Sequence, residues 1–182
     1  MKTLIIHSND RSTDFLKAIY KDIKNATIIT GGISKSNVIQ SIKEHDRIIM
    51  LGHGSPYGLF SMGLFPDTNG HIIDNETADL LQNKPENIYI WCHASSFVKQ
   101  HDLKGFCSGM FISETREADF CGVRGSTQKM VTESNELFCD LVGTYVFQSA
   151  YELYDSVAKF YGIMSKTNKV AKYNHERLYV CI

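Results

Sequence analysis

His53 stands between two glycines in the run Ile48-Ile49-Met50-Leu51-Gly52-His53-Gly54-Ser55-Pro56, and Cys92 closes a second apolar run, Asn87-Ile88-Tyr89-Ile90-Trp91-Cys92, 39 residues later. An imidazole and a thiol are the pair that nucleophilic catalysis needs. The imidazole takes the thiol proton or stabilises the thiolate, and the sulfur attacks a carbonyl carbon. A glycine directly after the histidine lets its own backbone N–H approach a developing oxyanion with no side chain in the way. Together, the amides of Gly54 and Cys92 would form a two-donor oxyanion hole. His93 is the poorer base, because adjacent residues on an extended chain point to opposite faces.

These two residues need elements to carry them. Thr3–His7, Ala26–Thr30, Arg47–Leu51 and Asn87–Trp91 are apolar, partly β-branched runs of strand length. The third is continuously apolar after its arginine, as befits a strand covered on both faces. Helical spacing begins at Thr13 with Phe15, Leu16, Ile19, Tyr20 and Ile23. It recurs behind Ser34 or Ser36 (Val38, Ile39, Ile42), from the Asp74 cap through Leu81, from Ser95 to Lys99, and over Glu133–Phe147 and Ala150–Met164. Tyr57 to Ile73, with its glycines and the Asn69-Gly70 turn, reads as a small hairpin or loop excursion. Met110-Phe111-Ile112 is expected as a fifth strand and Leu178–Ile182 as the last. Strands alternating with helices imply a mainly parallel sheet, whose functional residues collect outside the carboxyl ends of the strands. If the third and fourth strands are neighbours, His53 and Cys92 project from one edge.

Composition bounds the rest. The chain has 182 residues, 43% of them hydrophobic, with 19 basic against 20 acidic side chains and a net charge of -1. That suits one domain with a substantial core and excludes the basic field that nucleic acid requires. No apolar run approaches the roughly 18 residues of a membrane span, and the opening segment is too short in apolar residues for a secretory signal. Five cysteines, at 92, 107, 121, 139 and 181, form an odd set without a CxxC pair, which points to free thiols in a reducing cytoplasm. Cys107, Cys121, Cys139 and Cys181 read as small buried hydrophobes. His53, Cys92, His93 and His101 fit no zinc spacing, and no metal or organic cofactor is expected. Ser55, Ser95 and Ser96 read as turn and cap residues. The aromatic residues Tyr145, Phe147, Tyr151, Tyr154, Phe160 and Tyr161 read as core packing, an exposed part of which can serve a homo-oligomer contact. Lys166 to Lys172 reads as solvated surface.

The segments IIMLGHGSPYG and NIYIWCHASS resemble those of the caspase-like cysteine peptidases, a group that includes caspases, legumains, gingipains, clostripain, separases and CHAT-domain proteases. Members carry His-Gly after a third strand and Cys after a hydrophobic fourth; this order opposes that of glutamine amidotransferases and papain-like enzymes. The likeness runs from Met1 to about Ile112, with a short strand, a helix and a final strand beyond. It implies an α/β fold, a three-layer α/β/α sandwich around a mainly parallel sheet of about six strands. It also implies one domain over residues 1–182, with a large-subunit-like part of about 1–105 and a small-subunit-like part of about 106–182. The implied activity is hydrolysis of peptide bonds in peptides or proteins through a thioester, with neither nucleic acid nor membrane as partner. His53 would be general base and later acid, Cys92 the nucleophile, and Gly54 and Cys92 the oxyanion donors.

The departures from the group narrow it. Caspases carry Gln-Ala-Cys, whereas this chain has Ile90-Trp91-Cys92-His93-Ala94, so it is not a caspase proper. Some arginine-selective relatives carry an acid two residues before the Cys, a position held here by Ile90. A basic preference would therefore need another carboxylate. The candidates are Asp10 after the first strand, or Glu114, Glu117 and Asp119 after the fifth, because loops there border the specificity pocket in the group. Two other readings compete. One is a catalytically silent interaction or regulatory module, for which the mark is a thiol pKa at or above the free value of about 8.5. The other is an α/β-hydrolase-type esterase, but its nucleophile elbow needs a small residue where Ile90 stands, and 182 residues leave little room for its later acid and His.

Overall fold

Ile48 and Met50 face one hydrophobic core while Ile49 and Leu51 face another, and all four are fully buried. This is the two-residue period of a strand covered on both sides. The protein is described here from a computed structural model covering residues 1–62 and 65–182. Its strands are β1 (Thr3–His7), β2 (Thr27–Ile29), β3 (Arg47–Leu51), β4 (Gly54–Ser55), β5 (Gly58–Phe60), β6 (His71–Ile73), β7 (Ile88–Ile90), β8 (Gly105–Ser108) and β9 (Leu178–Cys181). Six of them form one sheet in the order β2-β1-β3-β7-β8-β9. Every pairing is parallel except that of β8 with β9.

Helices cover both faces. On one face α1 (Lys35–Glu44), α2 (Asn75–Leu81) and α3 (Ala94–Gln100) bury Val38, Ile42, Ala78, Leu81, Phe97 and Val98 against Leu4, Ile6, Met50 and Tyr89. On the other, a 3₁₀ helix (Arg11–Ile19), α5 (Gln128–Tyr145), α6 (Ala150–Met164) and α7 (Lys169–His175) pack Leu16, Ile19, Phe138, Val142, Leu153, Val157 and Tyr161 against Ile5, Ile49, Ile88 and Phe106. The caps are those the sequence suggests: Ser34 accepts the Asn37 N–H, and Asp74 the Glu76 N–H. The first helical segment is a 3₁₀ turn series of nine residues, long for that type.

Two expectations are corrected. The fifth strand of the main sheet is β8, not Met110–Ile112. The Asn174 amide holds Ile112 instead, accepting its N–H at 2.7 Å and donating to its carbonyl at 2.9 Å; a side chain satisfies the backbone where a neighbouring strand otherwise would. The Lys166–Lys172 stretch is not simply solvated, since Lys169 opens α7, which buries Val170, Ala171 and Asn174. The Tyr57–Ile73 excursion forms a small antiparallel sheet, β4-β5-β6; Gly63 and Leu64 within it lie outside the described residues. Helix α4 (Thr115–Phe120) completes the chain.

Candidate active site

The strand order reverses between β1 and β3: β2 lies on one side of β1 and β3 on the other. Such a switch opens a crevice at the carboxyl ends of the strands. β3 and β7 are paired through Leu51 and Ile90, and the Gly52 N–H donates to the Ile90 carbonyl at 3.1 Å just beyond. His53 therefore leaves the sheet one residue after that bond and Cys92 two residues after it, on neighbouring strands. Both line one narrow cleft of about 20 Å³, together with Thr13, Phe15, Leu16, Ile90, Trp91, Phe111 and Ser113.

His53 is held from the loop after β1. The Ser12 Oγ lies 2.7 Å from its Nε2, and the same hydroxyl donates to the Asp10 carboxylate at 2.8 Å. A serine hydroxyl has one proton to give. With that proton on Asp10, Ser12 can only accept from His53, which assigns the Nε2–H tautomer and leaves Nδ1 unprotonated. The Ser12 N–H also donates to Asp10 at 2.9 Å, and these bonds hold the Asp10 carboxyl below its ordinary pKa. Behind this loop sits His7, buried at the end of β1, with Nδ1 3.0 Å from the Tyr20 hydroxyl and Nε2 3.1 Å from Thr13 Oγ1. Burial, reinforced by the Lys17 charge, lowers its pKa to about 4.

Gly54 has a packing reason beyond the one the sequence suggests. A Cβ there would lie 2.1 Å from the Trp91 ring, and the buried Trp91 indole donates to the Ser55 carbonyl at 3.0 Å. The residue before Cys92 thus clamps the strand that follows His53. A further tie is the Phe60 N–H, which donates to the His53 carbonyl at 2.9 Å.

Cys92 sits in the strand-to-helix turn. His93 adopts a left-handed conformation (φ 68°, ψ 22°) to make that turn, with its N–H donating to the Gly109 carbonyl at 3.0 Å. Strain of this kind in a non-glycine residue is concentrated at functional sites. The Cys92 N–H makes no backbone hydrogen bond among the described residues. Its thiol donates to the Phe111 carbonyl at 3.7 Å, and burial pushes its pKa up to about 11. No hydrogen bond joins it to His53, so the resting sulfur is a neutral thiol.

The remaining candidates are spread over several settings. Glu117 Oε2 accepts from the Ser113 N–H at 2.7 Å, the Ser113 hydroxyl at 3.0 Å and the Glu114 N–H at 3.1 Å. Glu114 and Asp119 are exposed, and neither they nor Asp10 and Glu117 line the cleft. His93 is exposed, and His101 packs at a tilt against Phe97, ring centroids 4.6 Å apart. No three His, Cys, Asp or Glu side chains are grouped to hold a metal among the described residues. All five cysteines are free. Cys181 is only half-buried, unlike the buried role expected of it, and the neighbouring Cys107 thiol and the Lys99 charge hold its pKa below the ordinary thiol value.

Ser12, Thr13, His7 and Phe111 were not among the residues the sequence singled out. The one available signal was Asp10 two residues before Ser12 at a strand end, a side-chain spacing that favours local hydrogen bonding. No described helix is long and apolar enough to cross a membrane. A scan against protein-family models, a search of curated proteins and a search of solved structures each return no match for this chain.

Proposed function

We propose that the chain is a cysteine endopeptidase of the caspase-like group, with His53 and Cys92 as its dyad. The observation that carries this reading is that the two residues leave adjacent parallel strands at one edge and line a single cleft. A six-stranded, mainly parallel sheet with helices on both faces agrees with it. In the reaction, His53 Nδ1 takes the proton from Cys92 Sγ as the sulfur bonds to the scissile carbonyl carbon. The carbonyl pair moves onto oxygen, where the N–H groups of Cys92 and Gly54 receive it. Collapse breaks the C–N bond, and His53 passes its proton to the departing amine. Water, deprotonated by His53, then cleaves the thioester, giving the acid and the free thiol.

A silent module of the same fold is the second reading. It is favoured by the Cys92 thiol bonded to the Phe111 carbonyl and by its raised pKa. The two readings part on reactivity toward a peptide electrophile, with peptide mapping to locate the adduct. Cys92 should be modified, and Cys92→Ala should lose both that adduct and the cleavage of a peptide library. Iodoacetamide is the control, because Cys181, half-buried and near the Lys99 charge, should take the simple alkylator ahead of the buried thiols. Peptide adducts at Cys181 alone, or equal cleavage by Cys92→Ala, would sink the peptidase assignment.

A further inference from the structure

We infer that the cleft beside Cys92 receives a small, uncharged side chain, so that the bond cleaved is the one following glycine, alanine or serine. The inference rests on the peptidase reading and names its substrate class. Cys92 and His53 both form part of the cleft wall, so this is the space that a residue whose carbonyl meets Cys92 would enter with its side chain. The space measures about 20 Å³, small beside the roughly 150 Å³ of an apolar cavity that admits benzene. Its walls cannot easily retreat. Leu16, Ile90 and Phe111 are buried members of the core on that face of the sheet, and Phe111 packs on Phe138 at 4.6 Å. Forcing a larger group in would displace core side chains from their rotamers.

Charge is excluded on separate grounds. Apart from His53, the lining holds no cation for an acidic residue and no carboxylate for a basic one. Two carboxylates bonded to residues around the cleft are already engaged: Asp10 with the Ser12 N–H and hydroxyl, Glu117 with Ser113 and the Glu114 N–H. A charged side chain would enter an apolar slot without a partner, where the penalty for an unpaired charge is large. The residues that set the size are Ile90 and Phe111 from within the core and the half-buried Phe15 from the 3₁₀ helix.

The experiment uses the full chain and peptidyl acyloxymethyl ketones that differ only in their terminal residue: alanine, leucine, arginine or aspartate. Modification of Cys92 is followed by peptide mapping. The alanine probe should modify Cys92 at least about 100-fold faster than the arginine or aspartate probe. Phe15→Ala, at a half-exposed position that should still fold, should raise the leucine probe at least about tenfold relative to alanine. A faster arginine or aspartate probe overturns the specificity while leaving the peptidase reading intact. So does a Phe15→Ala variant whose ranking is unchanged. If no peptide probe modifies Cys92 in folded protein that iodoacetamide still alkylates at Cys181, the peptidase reading itself fails.

Discussion

Ser12 controls His53 more directly than any other side chain, since it meets Nε2 at 2.7 Å and is itself oriented by Asp10. In the proposed peptidase, Ser12→Ala should lower kcat about 10- to 100-fold with little change in KM, because it loosens the proposed base while Ser12 itself does not line the cleft. Ser12→Thr, which keeps the hydroxyl, should recover most of the rate. Steady-state kinetics on one peptide checks both, and an unchanged kcat in Ser12→Ala would remove Ser12 from the mechanism. His7 makes a different prediction. Its folded pKa is about 4 against an ordinary 6.5, so the unfolded chain takes up a proton on acidification well before the folded one does. The stability that neutral His7 contributes is complete above about pH 6.5 and falls by about 3 kcal/mol as the pH reaches about 4. Urea unfolding across that interval should show this slope, and His7→Gln should flatten it.

At the scale of elements, the His53 loop depends on the fit between Gly54 and Trp91. Gly54→Ala would put a methyl 2.1 Å from the indole. It should destabilise the protein by at least about 2 kcal/mol and reduce turnover as β4 moves away from β7. Thermal melting and the peptide assay read the two effects, and a variant with the parent's melting temperature would show that the indole yields freely. The legibility of the elements followed the same logic of neighbours. β1, β3 and α6 could be read from the sequence because each has a clean apolar period and a strand or helix partner on each buried side. Met110–Ile112 looked like a strand on composition alone, and what overrode composition was Asn174, 62 residues away from Ile112. Helices α4 and α7 bury only one and three residues, too few to stand out as an apolar period along the chain.

At the scale of the molecule, β3 belongs to both cores at once, with Ile48 and Met50 in one and Ile49 and Leu51 in the other. Neither core can lose its sheet face while the other keeps its own. The fluorescence of the single tryptophan, Trp91, reports the first core, and far-UV circular dichroism reports chiefly the long helices of the second. Their urea transitions should coincide, and separated midpoints would mean that the two faces unfold independently. Periodicity and turn residues act over a few positions, and they suffice for the alternation of strands and helices, the burial of β3 on both faces, and the placing of His53 and Cys92 at strand ends. They do not reach the pairing of β3 with β7, the contact of Ser12 with His53, the meeting of the Cys92 thiol with Phe111, or the narrow apolar cleft. Each of those depends on side chains dozens of residues apart meeting across the sheet order, and no local pattern encodes that meeting.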